Sequence, residues 1–125
     1  MSKTIIVIDD SETVRQQVRH VLVDAGYAVI EAEDGEEGAA AIRANPSAAL
    51  AICDVNMPHV GGLEMLESLR AHGAAVECPV LMLTTEGRPD VIERARASGA
   101  KAWIVKPFKP TMLLAAVRKL AGGTT

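Results

Sequence analysis

The chain has few aromatic residues and no basic stripe, and both shortages restrict its partners. Only 2% of its 125 residues are Phe, Trp or Tyr, so it lacks the aromatic platforms on which nucleic-acid bases stack. The formal net charge is −3, and no stretch concentrates the lysines and arginines that bind a phosphate backbone. We therefore expect no nucleic acid among its direct partners.

Long apolar runs and targeting signals are also absent from the sequence. No apolar run approaches the roughly 20 residues that cross a bilayer, and the start has no small-residue cleavage site of a signal peptide. The only cysteines, Cys53 and Cys78, lack metal-ligand spacing, which favours reduced structural thiols. We expect a cytoplasmic protein without membrane contact, folded as a single domain over residues 1–125.

Short apolar runs alternate along the chain with stretches of helical spacing. Because the strand-length runs are apolar throughout, both faces of their sheet should be covered. Strand–helix alternation implies right-handed crossovers and therefore a parallel sheet. The prediction is an α/β fold, a doubly wound sheet of five parallel strands with five helices. The strands are expected at residues 5–8, 27–31, 49–53, 80–83 and 101–105, and the helices begin near residues 11, 35, 63, 87 and 110 and end near 26, 44, 72, 99 and 121.

Polar residues follow four of these apolar runs, where the predicted strands end. In a parallel sheet these ends share one edge, and for the common strand order 2-1-3-4-5 ligands bind there between strands one and three. Three neighbouring carboxylates cannot all stay ionised without a compensating charge, which Mg²⁺ supplies while binding oxygen ligands. The sequence thus predicts a site for a divalent cation and a phosphoryl group. Its residues are Asp9, Asp10, Asp54, Thr84 and Lys106.

Missing motifs narrow the chemistry of this site. The chain has no Gly-rich dinucleotide or P-loop motif, and no His or Glu ends a predicted strand as a general base. A carboxylate nucleophile that forms an acyl phosphate fits best, with Lys106 and Thr84 positioning groups and neutralising charge. Two alternatives are a Mg²⁺-dependent aspartyl phosphatase, which usually carries a cap domain, and a flavodoxin-like cofactor binder, which needs a Ser/Thr-rich phosphate cradle.

These residues resemble the receiver domain of bacterial two-component response regulators across essentially the whole chain, and in particular its single-domain, CheY-like chemotaxis subgroup. The resemblance implies a flavodoxin-like fold and a monomer without an output domain. One departure is Gly61-Gly62, where many members carry Asp-Gly; it should alter the loop without removing a site group. The matching motifs are Asp9-Asp10, Asp54-Val55-Asn56-Met57-Pro58, Thr84-Thr85-Glu86 and Trp103-Ile104-Val105-Lys106-Pro107-Phe108.

The resemblance also implies a role for each site residue. Asp54 would accept a phosphoryl group from a CheA-like sensor histidine kinase. Lys106 would pair with the phosphoryl oxygens, aimed by a cis bond before Pro107, and Thr84 would donate a hydrogen bond to one of them. The implied Mg²⁺ ligands are the side chains of Asp10 and Asp54, the backbone carbonyl of Asn56, and Asp9 directly or through water.

The signal, on this resemblance, would pass from Thr84 to Trp103, which would move to a more buried rotamer on phosphorylation. That movement would remodel the face of helix 4, strand 5 and helix 5 for a downstream protein such as a flagellar motor switch protein. Asn56 and Glu86 would border the path of the attacking water and favour fast resetting, in which a phosphatase partner could take part. The chain would then be no enzyme with an external substrate. A phosphate sink or phosphorelay intermediate would use the same residues.

Overall fold

The computed structural model describes residues 2–71 and 78–122. Its strands are β1 (Thr4–Ile8), β2 (Ala28–Ala32), β3 (Leu50–Cys53), β4 (Val80–Thr84) and β5 (Ala100–Val105). Its helices are α1 (Glu12–Asp24), α2 (Gly35–Ala44), α3 (Gly62–Ala71), α4 (Pro89–Ala97) and α5 (Pro110–Ala121). All strand pairs are parallel, in the order β2-β1-β3-β4-β5, so the predicted doubly wound α/β architecture is confirmed.

The two faces of the sheet bury separate apolar clusters. Along β1, Ile6 and Ile8 belong to the cluster beneath α2 and α3, whereas Ile5 and Val7 belong to the cluster beneath α1 and α5. This division follows from the strand period of two, which sends successive side chains to opposite faces. Every residue of β3 and β4 is buried. The continuous apolar runs therefore reflect a sheet covered on both sides.

The second strand begins one residue later than predicted, at Ala28. The N–H of Tyr27 donates to the Leu22 carbonyl at 3.0 Å, so Tyr27 still closes the turn after α1. Its ring is buried and its hydroxyl donates to the Gly122 carbonyl at 3.0 Å, beside a bond of 2.7 Å from Lys3 Nζ to the Ala121 carbonyl. These two bonds fasten the carboxyl end of α5 to the amino ends of β1 and β2.

The predicted end of the third helix, near residues 72–73, lies outside the described residues, where α3 extends over Gly62–Ala71. Across the described ranges, no helix combines the length and apolar character that crossing a membrane requires. The chain leaves β1 toward β2 on one side and returns to β3 on the other. This reversal opens a crevice between the carboxyl ends of β1 and β3, at the place the sequence predicted.

Candidate functional site

An ammonium joined to two carboxylates forms the centre of the crevice. Lys106 Nζ lies 2.8 Å from Asp9 Oδ2 and 2.8 Å from Asp54 Oδ2. The three side chains follow β5, β1 and β3, and they are 14%, 4% and 9% exposed. The structure thus brings together residues 97 positions apart in the chain, as the strand ends predicted.

A local turn orients the side chain at three of the strand ends. In each turn the side-chain oxygen accepts a hydrogen bond from the backbone N–H two residues later, which is common for Asp and Thr. One oxygen of each carboxylate is therefore fixed by its own loop, while the other is directed to Lys106. The three bonds are Ser11 N to Asp9 Oδ1 (2.9 Å), Asn56 N to Asp54 Oδ1 (3.1 Å) and Glu86 N to Thr84 Oγ1 (3.3 Å).

Burial and charge act against each other at this centre. Burial raises the pKa of Asp9 above its ordinary value, and the hydrogen bonds from Lys106 and from the Ser11 N–H only partly offset that effect. Burial alone would lower the pKa of Lys106, but its hydrogen bonds to Asp54 and Asp9, together with their charges, raise it. Lys106 is therefore held as a cation between two acids, one of which is costly to ionise.

The donor set of the crevice fits a divalent cation. One carboxylate oxygen from each of Asp9, Asp10 and Asp54 lies within 4.8 Å of the others. Asp9 and Asp54 are buried, while Asp10 is exposed and adds its carboxylate from solvent. Together with the Lys106 ammonium, the three carboxylates leave an excess of two negative charges, which a divalent cation would balance. Such hard oxygen ligands suit Mg²⁺ or a similar ion.

The remaining predicted residues lie around this centre. Thr84 is fully buried at the end of β4, and its carbonyl accepts from the Lys106 N–H at 2.8 Å. The Lys106–Pro107 bond is cis, as the resemblance implied. Trp103 is half-buried on β5, and its indole Nε1 donates to the Glu86 carbonyl at 2.9 Å. Asn56 lies two residues after Asp54 and is exposed, and its backbone N–H donates to the Asp54 carboxylate.

Sequence reasoning missed one buried residue next to the centre. Ser11 caps α1 as predicted, accepting from Val14 N at 3.3 Å, but Arg15 on the same helix is 8% exposed. Its Nη1 donates to the Asp9 carbonyl at 2.7 Å. A signal was available, because Arg15 lies three residues before Val18 and seven before Leu22, on the helix face that packs against the sheet.

The Gly61-Gly62 pair allows close packing under the phosphoacceptor candidate. A Cβ at Gly61 would lie 2.5 Å from the Val55 carbonyl oxygen, and one at Gly62 would lie 2.3 Å from that of Asp54. Asp54 and Lys106 remain in contact beside this pair, and the expected effect of the departure on the loop stays a prediction.

Comparisons with known proteins agree with this arrangement. A family model described as response regulator receiver domain matches residues 5–118. The chemotaxis protein CheY1 of Helicobacter pylori is 38% identical over 110 residues, which cover 87% of this chain and 89% of that protein. A Campylobacter jejuni CheY homologue is 36% identical, with 87% and 85% covered. The solved structure of Vibrio cholerae CheY4 superposes with a TM-score of 0.87 at 38% identity, covering 96% of this chain and 99% of that one.

Proposed function

Because this chain belongs to the response regulator receiver domains, we propose that it is a phosphorylation-activated signalling switch of the cytoplasm, modified at Asp54. The observation that carries this proposal is the position of Lys106 Nζ, 2.8 Å from oxygens of both Asp9 and Asp54. A buried carboxylate beside a fixed cation and two further acids is equipped to accept a phosphoryl group, since that transfer needs mainly positioning and charge neutralisation.

Asp54 is the proposed nucleophile. One of its carboxylate oxygens would attack the phosphorus of a phosphohistidine on a sensor kinase. The oxygen–phosphorus bond forms while the nitrogen–phosphorus bond breaks, and the imidazole leaves with that electron pair. Lys106 needs little movement to neutralise the phosphoryl oxygens, because its ammonium already contacts Asp54 and is a compact point charge.

The proposed cofactor is Mg²⁺. The carboxylates of Asp9, Asp10 and Asp54 would hold it together with the backbone carbonyl of Asn56. When bound, Mg²⁺ neutralises charge on the phosphoryl oxygens and orients them. It would also offset the mutual repulsion of the three carboxylates, which Lys106 alone cannot balance.

The route from site to surface runs through Glu86. The Thr84 hydroxyl accepts from the Glu86 N–H, so its own proton is free to donate to a phosphoryl oxygen. If Thr84 moves toward that oxygen, it pulls on the backbone of Glu86, whose carbonyl holds the indole of Trp103. The expected result is the predicted shift of Trp103 to a more buried rotamer, with a changed α4–β5–α5 face.

The proposed output is binding of a downstream protein to that face, in chemotaxis. Supporting observations are the chemotaxis relatives and two exposed apolar side chains, Val105 on β5 (49%) and Met112 on α5 (57%). A CheA-like kinase would supply the phosphoryl group, and a flagellar motor switch protein would receive the signal. A phosphate sink or relay intermediate would need the same site.

Resetting completes the proposed cycle without an external substrate. Water attacks the phosphorus, the bond to Asp54 breaks, and inorganic phosphate leaves with the carboxylate restored. Asn56 is exposed beside Asp54, so water reaches this part of the crevice. The chain, acting as a monomer, would thus catalyse only its own modification and reset, with a phosphatase as a further partner.

Incubation with acetyl phosphate and Mg²⁺ tests the proposal. The expected product is one acid-stable, base-labile phosphoryl adduct on Asp54, detected by intact mass and peptide mapping. Asp54→Asn should abolish it, whereas the matched Asp24→Asn, at an exposed position ending α1, should not. Continuous release of phosphate at enzymatic rates would indicate the phosphatase alternative. Absence of both adduct and turnover would indicate a binding protein.

A further inference from the structure

Arg15 is a buried cation whose guanidinium contacts the backbone of the acidic loop. Its Nη1 donates to the Asp9 carbonyl at 2.7 Å in a buried hydrogen bond. Its Nε donates to Glu31 Oε1 on β2 at 3.1 Å. The rigid, planar guanidinium of Arg15 therefore bonds to β2 on one side and to the Asp9 carbonyl on the other.

The Asp9 carbonyl belongs to the peptide plane that joins Asp9 to Asp10. Because that plane is rigid, a hydrogen bond that fixes its oxygen also fixes the direction in which the chain reaches Asp10. Asp9 itself is fixed further by its N–H, which donates to the Ala32 carbonyl at 3.0 Å, and by its contacts to Ser11 and Lys106. Asp10 is exposed, so its placement depends on this peptide plane.

We propose that Arg15 is a positioning residue for the divalent cation, acting through the Asp9–Asp10 peptide. The inference rests on the proposed function, since it assigns Arg15 a part in the Mg²⁺ site of the switch. Arg15 does not contact the ion. It holds the carbonyl between the two ligand residues so that both carboxylates converge on the crevice with Asp54. Groups that orient metal ligands typically contribute roughly 10–100-fold to metal affinity.

The sign of the effect separates positioning from simple charge. A guanidinium near a cation site repels the cation, so loss of its charge alone would tighten Mg²⁺ binding. Loss of a positioning contact would weaken binding instead, because the Asp9–Asp10 peptide could turn. A general loss of stability would leave the affinity of the folded protein unchanged.

The test compares Arg15→Gln with Arg19→Gln. Arg19 pairs with the same Glu31 carboxylate at 3.0 Å but is 52% exposed, so its variant loses the same charge and the same partner. Mg²⁺ dissociation constants are measured by calorimetry, without phosphodonor and well below the unfolding temperature. Arg15→Gln should weaken Mg²⁺ binding about 10-fold, while Arg19→Gln should stay within about twofold of the wild-type protein, as exposed pairs contribute little. Phosphorylation by acetyl phosphate at saturating Mg²⁺ should recover most of the wild-type rate in Arg15→Gln.

Arg15→Lys provides the second variant, also if Arg15→Gln fails to fold. A lysine has a single ammonium, so it cannot hold the Asp9 carbonyl and Glu31 in the two-sided geometry of the guanidinium. The Mg²⁺ affinity of Arg15→Lys should therefore lie between those of the wild-type protein and Arg15→Gln. If Arg15→Gln does not fold, the affinity of Arg15→Lys should still be lower than that of the wild-type protein. Unchanged or tighter Mg²⁺ binding in the folded Arg15 variants would overturn the inference while leaving the switch intact, provided that wild type binds Mg²⁺ and is modified at Asp54. A wild-type protein that binds no Mg²⁺ would overturn both.

Discussion

Gly62 lies where the phosphoacceptor loop meets α3, and Gly62→Ala tests how closely the two are packed. A Cβ at this position would lie 2.3 Å from the Asp54 carbonyl oxygen and 2.8 Å from Met82 Cε. Real Cβ contacts are longer than 3.0 Å, and the nearer neighbour is backbone, which cannot rotate away as a side chain can. The Gly62 N–H also donates to the Val55 carbonyl at 3.1 Å, so retreat of α3 would strain that bond.

The expected cost follows from these distances. Overpacking of this kind lowers the free energy of unfolding by about 1–3 kcal/mol. Any Gly→Ala change also raises it by about 0.4–1 kcal/mol, because the unfolded chain has less conformational freedom. Gly87→Ala is the matched control, because its Cβ would meet only Val105 Cγ2, at an ordinary 3.9 Å. The stabilisation that comes from the less flexible unfolded chain applies to both variants, so it cancels when their free energies of unfolding are compared. We expect Gly62→Ala to be less stable than Gly87→Ala by about 1–3 kcal/mol.

Urea denaturation followed by circular dichroism gives the two free energies of unfolding. The rate at which acetyl phosphate modifies the folded protein reports the effect on Asp54. This rate should fall in Gly62→Ala, because the main chain of Asp54 must move to make room for the new Cβ. If Gly62→Ala unfolds at the same urea concentration as Gly87→Ala and is modified at the wild-type rate, the close approach described here does not constrain the loop.

Three further predictions concern acid, thiols and fluorescence. Burial raises the folded-state pKa of Asp9 above the unfolded value of 3.8, so the folded protein keeps this proton to a higher pH. The protein should therefore lose stability as the pH rises from about 4 through the raised pKa. Urea titrations at several pH values should show that Asp9→Asn lacks this loss, and identical pH profiles of the two proteins would contradict the prediction. Burial raises the pKa of the Cys78 thiol to about 11 and raises that of fully buried Cys53 further, so a thiol reagent at pH 8 should label both only after unfolding; rapid labelling of the native protein would count against their burial. Trp103 is the only Trp, so beryllofluoride with Mg²⁺ should change its emission, and an unchanged spectrum would remove it from the switch.

The fold and the centre of the site were predictable because topology alone determines where strand ends meet. Asp9, Asp54 and Lys106 each follow an apolar run, and a parallel sheet places such residues at one edge. The apolar pattern could not tell which of Asp9 and Asp10 is buried, since they are adjacent and chemically equal. The Asp9 N–H continues the ladder to β2 and draws this residue inward, while Asp10 falls beyond the ladder and stays exposed.

Arg15 shows where sequence reasoning stops. An arginine on a helix is ordinarily solvated, and the apolar pattern of α1 was sufficient to predict the helix without it. Its spacing to Val18 and Leu22 places it on the inward face of α1, but no spacing rule identifies the partners that bury it, Glu31 and the Asp9 carbonyl, because they lie on other elements. The same holds for Tyr27, whose hydroxyl donates to the Gly122 carbonyl, 95 positions away in the chain.

The fastening of α5 at its carboxyl end sets how this helix can move. Lys3 and Tyr27 hold the carbonyls of Ala121 and Gly122, so that end acts as a pivot. At about 1.5 Å per residue the 12-residue helix is about 18 Å long, and its amino end lies just after the loop of Lys106 and Phe108. We therefore expect a displacement of that loop to tilt α5 about its fastened carboxyl end rather than to shift it along its axis.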